Sequence, residues 1–167
     1  VRGRGGHGSS PHLAADPVPV AAEMVTALQT LVTRTANAFD PVVITVGTFH
    51  SGTKVNVIPA EATFGATVRA TSETGMTAFL DRAEALCRGI AAAHGLTAEV
   101  RSEVQYPALV CAADAVDLGE EAAHALYGPD SFLRIPTANM ASEDFARVAA
   151  QVPSAQYMVS ARPPDAA

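Results

Sequence analysis

Ala62-Thr63-Phe64-Gly65-Ala66-Thr67-Val68-Arg69 alternates without a break. Successive side chains of an extended strand point to opposite faces. Ala62, Phe64, Ala66 and Val68 therefore share one side, and Thr63, Gly65, Thr67 and Arg69 share the other. A strand patterned in this way has one covered face and one open face. Arg69 falls on the open one.

Working outward, Val42-Val43-Ile44-Thr45-Val46 is β-branched and reads as a buried strand. Gly47 to Lys54 reads as a polar connection, followed by Asn56-Val57-Ile58-Pro59. Downstream, Met76, Phe79, Leu80, Ala83, Leu86, Cys87 and Ile90 form the apolar stripe of a helix, with Gly95 as its stop. Thr97 to Gln105 alternates again, with Ala98, Val100 and Val104 expected inward. Upstream, Asp16-Pro17 starts a helix whose apolar residues are Val20, Met24, Ala27, Leu28, Leu31 and Val32, ending near residues 35–37. With a short first strand at Val1 to Gly3, the order is β-α-β-β-α-β. Such split units form an antiparallel sheet with both helices on one face, an α+β sandwich within the α/β class.

Tyr106-Pro107 marks a boundary, giving an expected first domain over residues 1–105 and a second over 106–167. The second reads as a helix over 113–126, a short helix from about Glu143 to Ala150 and a strand near Ala155 to Ser160. So few elements do not close a core by themselves, and the segment is expected to be part of a larger domain. The chain also starts abruptly at Val1 and stops at Ala167, which reads as an internal portion of something longer.

Composition narrows the function. The hydrophobic fraction of 49% supports a packed core, and aromatics at 5% with no Trp leave it to Val, Ala, Leu and Ile. A net charge of −6 without a basic cluster argues against nucleic acid as a partner. No apolar run reaches the ~20 residues of a membrane span. Cys87 and Cys111 form no metal-type pair and no disulfide framework, so a cytoplasmic setting is expected. Cys87, on the helical stripe, belongs to the core.

Gly3-Arg4-Gly5-Gly6-His7-Gly8-Ser9-Ser10-Pro11-His12 is the stretch richest in chemistry. A histidine among glycines is either incidental to a surface turn or an exposed donor or acid/base. His7 and His12 are five apart across Gly and Pro, not the helical pair of a zinc hydrolase, and the other histidines lack ligand spacing. Ser9 and Ser10 have no acid partner in a nucleophile-elbow pattern. Asn56 is either a turn former or an amide aimed at a ligand. Arg69 either grips a carboxylate bidentately or is an ordinary solvated strand residue. Glu143-Asp144 either line a site or form the acidic first turn of a helix.

In combination, residues 3–18 (GRGGHGSSPHLAADPV), 44–70 (ITVGTFHSGTKVNVIPAEATFGATVRA), Tyr106-Pro107, 140–145 (MASEDF) and Val152-Pro153 resemble the dinuclear-metal amidohydrolases of the aminoacylase and carboxypeptidase superfamily. Within it they are closest to the hippurate hydrolase, or N-acyl-amino-acid amidohydrolase, type. The resemblance implies a lid, or dimerisation, domain inserted in a catalytic domain that hydrolyses the amide of N-acyl amino acids. It implies two divalent ions, Zn or Mn, in the parent enzyme, and a homodimer formed through the lid. It also implies that His7 reaches the partner's active site to stabilise the oxyanion, that Asn56 helps bind substrate, and that Arg69 binds the substrate carboxylate. His12, Glu143 and Asp144 receive no role from it. The family's metal-ligand segments before the lid and near the C-terminus are not in this sequence, so no metal is expected to be held by this chain. Ser154 and Val159-Ser160 stand where the family has Pro-Gly and Leu-Gly. The alternative is a non-catalytic sandwich that dimerises or binds a small acid on its open sheet face.

Overall fold

The computed structural model describes residues 1–161. The backbone divides into two compact units, Val1–Val104 and the chain from Gln105 onward. The first contains β1 (Gly6–His7), α1 (Pro17–Thr35), β2 (Val42–Ser51), β3 (Val57–Ile58), β4 (Ala62–Ala70) and α2 (Glu73–Ala93).

Local chemistry sets the helix ends. At α1 the Asp16 carboxylate accepts the Val18 amide at 2.9 Å, with Pro17 in the first turn. The cap satisfies an amide that the helix itself leaves unpaired. At α2 the Ser72 hydroxyl accepts the Gly75 amide at 3.0 Å and donates to Asp40 at 2.5 Å. Thr71 donates to the same carboxylate at 2.7 Å. The Ser72 hydrogen bond and then that from Thr71 hold the Asp40 carboxyl below its usual range. Beyond α2, Gly95 turns the chain at φ +69°, a conformation open to glycine.

Val20, Met24 and Leu28 on α1 meet Cys87 and Ala91 on α2 and Leu96 beyond it, forming the buried core. Ile44 of β2 and Phe64 of β4 pack on that cluster, so both helices cover the same face of the sheet. This is the expected α+β arrangement, including the core position of Cys87.

β2 and β4 run antiparallel from Val42↔Ala70 to Ser51↔Ala62, and β1 pairs with β3 through Gly6↔Ile58 and His7↔Val57. Single backbone contacts join the two ladders. Ala62 donates to the Val1 carbonyl at 3.0 Å, Gly3 donates to that of Ala60 at 2.9 Å, and Arg2 bridges Glu61 on one side and Thr97 on the other. The order across the sheet is therefore Thr97, residues 1–7, residues 57–70 and β2, antiparallel throughout. Pairing is interrupted at Pro59, which has no amide hydrogen, and at Arg4, which instead exchanges two hydrogen bonds with Ala15.

Three expectations are corrected. Residues 47–51 are not a connection: β2 continues to Ser51, with an irregularity between Val46 and Thr48. Gly47 is the extra residue of this bulge, which shifts the alternation by one. Phe49 thereby joins Phe64, their rings stacked with centroids 6.4 Å apart, while Thr48 and His50 turn to the open face. Second, residues 97–105 contribute only the bridge at Thr97. Ala98 and Val100 do pack inward, but Val104 is exposed. Third, residues 155–160 form no ladder, and the short helix is confined to Ala146–Ala149.

The second unit has α3 (Ala113–Tyr127) and α4 (Ala146–Ala149). Arg134 ties the following loop back to α3 through Glu120 at 3.0 Å and Asp117 at 2.5 Å. Arg147 donates to the Gln105 carbonyl at 2.7 Å and lies over the Tyr106 ring, 5.6 Å from its centre. Among the described residues of this unit only Ala146 is buried. No helix among the described residues is long and apolar enough to cross a membrane.

Candidate functional site

The glycine-rich opening becomes a site because residues 5–8 run beside residues 56–59. His7 pairs with Val57, and the Gly8 amide donates to the Asn56 carbonyl at 2.9 Å. A β-carbon on Gly8 would stand 3.2 Å from that carbonyl oxygen, so the close approach favours glycine. The Ser10 amide returns to the His7 carbonyl at 2.9 Å, closing a tight turn that leaves the His7 side chain exposed. His7 and Asn56, far apart in sequence, are thus neighbours through their backbones.

The His7 ring is held by its own turn. Nδ1 lies 2.8 Å from the Ser9 hydroxyl and accepts the Ser9 amide at 3.2 Å. Ser9, dismissed as a nucleophile from sequence, is therefore a partner of the histidine. No signal in the sequence distinguished it from Ser10.

Arg69 lies near the far end of β4, opposite Val43, half-buried. Phe64 packs inward, so alternation puts Thr63, Gly65, Thr67 and Arg69 on the outer face, as expected. From Thr63 to Arg69 the strand covers roughly 20 Å at about 3.3 Å per residue, and His7 lies beyond Thr63 along the same path. The structure joins His7 to Asn56 and leaves Arg69 at the other end of the strand.

The Gly47 bulge adds a residue that sequence reading placed in a loop. His50, opposite Thr63, faces a shallow cavity of about 380 Å³ shared with Thr53, Val57, Pro59 and Glu61. His12 sits exposed in a 3₁₀ turn over Pro11–Leu13, and Glu143 and Asp144 are exposed ahead of α4. Among the described residues no three His, Cys, Asp or Glu side chains converge to hold a metal ion. The residues present do not fit a dinuclear site.

Residues 1–94 match the family model described as the peptidase dimerisation domain of the M20 group. The chain belongs to the M20 peptidase dimerisation family. Its relatives include hippurate hydrolase from Campylobacter jejuni, 34% identical over 145 residues, an alignment covering 87% of this chain and 38% of that enzyme. An N-acyl-L-amino acid amidohydrolase from Geobacillus stearothermophilus is 37% identical over 106 residues, covering 64% of this chain and 29% of the relative. Among solved structures, a hydantoinase/carbamoylase family amidase from Burkholderia ambifaria superimposes with a TM-score of 0.72 at 20% identity, over 92% of this chain and 37% of that one. At that identity the likeness concerns the fold alone. This M20 chain spans under half the length of the curated relatives it matches.

Proposed function

We propose that this chain is the lid, with an adjoining part of the catalytic domain, of a metal-dependent amidohydrolase that cleaves the amide of N-acyl amino acids. Residues 1–105 are the lid and residues 106–167 the catalytic portion. The observation that carries the reading is the turn that seats His7 beside Asn56 in an M20 dimerisation domain. The relatives' activities on hippurate and N-acyl-L-amino acids support the substrate class.

In this reading His7 donates a hydrogen bond to the oxygen that gains charge as the carbonyl becomes tetrahedral. Such a donor acts in the transition state more than in the ground state. Asn56 helps orient the substrate, and Arg69 grips its carboxylate, a charge present throughout the reaction. The lid forms a homodimer, and the distance along the strand between His7 and Arg69 supports a site that draws on two subunits. Polarisation of the carbonyl and activation of water by two divalent ions would belong to the parent enzyme, with ligands outside this chain.

The test uses the full-length parent enzyme loaded with zinc or manganese, assayed on N-benzoyl and N-acetyl amino acids. His7→Ala is expected to lower kcat by about 10²–10³ with KM little changed. Mixing His7→Ala subunits with subunits lacking the catalytic base should restore part of the activity through heterodimers. A His7→Ala enzyme with normal kcat would make His7 an ordinary turn histidine and refute the assignment.

A further inference from the structure

Two hydrogen-bond donors of one residue converge on a single nitrogen of His7. The Ser9 amide lies 3.2 Å from Nδ1, and the Ser9 hydroxyl lies 2.8 Å from the same atom. A backbone N–H donates and never accepts. Nδ1 must therefore offer its lone pair, and the single proton of a neutral imidazole resides on Nε2. With Nδ1 already bare, the Ser9 hydroxyl also points its hydrogen inward. The Ser10 amide on the His7 carbonyl, at 2.9 Å, keeps the turn closed so that both donors stay in place.

We propose that Ser9 is a positioning residue that locks His7 in its Nε2–H tautomer and aims that hydrogen away from the turn. The catalytic meaning of the lock rests on the function proposed above; the tautomer itself does not. An oxyanion donor must present a hydrogen where charge develops. The opposite tautomer would present a lone pair there and repel the oxyanion. The lock equally disqualifies neutral His7 as a general base through Nε2, because that nitrogen is already protonated. Ser9 thus selects hydrogen-bond donation from the two roles a histidine can play.

The tautomer is read directly in the 167-residue chain by ¹⁵N NMR of the histidine ring at a pH near 8, well above the ordinary histidine value of ~6.5. Wild-type His7 should show a bare Nδ1 and a fully protonated Nε2. Ser9→Ala removes the hydroxyl but keeps the residue-9 amide, so the Nε2–H tautomer should persist with a raised minority of Nδ1–H and a looser ring, whereas Ser9→Thr keeps both donors and should preserve the wild-type state. In the metal-loaded parent, Ser9→Ala should lower kcat roughly three- to tenfold, the worth of one neutral hydrogen bond, at unchanged KM. Ser9→Thr should restore it. In a His7→Ala background Ser9→Ala should cost nothing further, because it acts through the ring.

A proton found on Nδ1 overturns the proposal, as does a Ser9→Ala defect equally large without His7. A locked tautomer in an enzyme whose His7→Ala variant keeps full kcat upholds the lock and overturns the catalytic reading instead. The two failures are therefore distinguishable.

Discussion

Gly3→Ala tests how tightly the opening segment is wedged into the fold. A β-carbon built on Gly3 stands 2.1 Å from the Ala15 carbonyl oxygen and 3.2 Å from a terminal carbon of Leu96. The first contact is far inside any van der Waals distance and involves backbone, so the two segments must separate by about 1 Å to reach even a tight contact. The neighbouring Arg4 and Ala15 exchange hydrogen bonds of 2.9 and 2.8 Å. Stretching each by that amount takes it outside hydrogen-bond range. At about 0.5–1.5 kcal/mol net for each, the loss is about 1–3 kcal/mol. Urea unfolding reads this as a fall in the midpoint of about 1 M, for a slope of about 1–3 kcal/mol per M. Gly89→Ala is the matched control. It lies within α2 with no neighbouring atom within 4 Å of the added carbon. That substitution should raise stability by about 0.5–1 kcal/mol, since glycine is the poorer helix former. The pair separates the clash from the loss of unfolded-state entropy common to both changes. A Gly3→Ala midpoint at or above wild type would refute the reasoning.

Three other perturbations have defined outcomes. Met24 is 1% exposed at the junction of the two helices, so Met24→Ala should cost about 2–5 kcal/mol in thermal or urea unfolding; an unchanged midpoint would mean that the core collapses around the gap. The Asp40 carboxyl has its pKa lowered by Ser72 and Thr71, so the native state binds fewer protons than the unfolded chain in acid. Its contribution is present above the unfolded value and is lost as pH falls through the lower folded value. Asp40→Asn should therefore flatten the acid limb of the stability profile below pH ~4, and a limb of unchanged slope would exclude Asp40 as its source. In the parent enzyme, Arg69→Ala should mainly raise KM for N-acyl amino acids with a smaller change in kcat, as uniform binding requires; a loss confined to kcat would move Arg69 to the transition state.

Much of the fold is legible because its causes are local. The Asp16 cap, the stripe ending at Gly95 and the alternation of 62–69 each arise within a dozen residues, so helix limits, the burial of Met24 and Cys87, and the outer face of Arg69 follow from period and capping. The resemblance of the motifs likewise named His7, Asn56 and Arg69 as the residues to examine. What pairing across the chain decides could not be read this way. The Gly47 bulge exists only because β4 provides a register against which one residue is extra, and it alone carries His50 to the open face. Residues 97–105 have the pattern of a strand, yet a ladder needs a neighbour, and among the described residues only Thr97 bridges to one, at Arg2. The nearness of His7 to Asn56 depends on pairing with Val57 and on the Gly8 amide meeting the Asn56 carbonyl. A side chain's period is a property of its own segment. Its partner and face are set by hydrogen bonds that close only when distant segments meet.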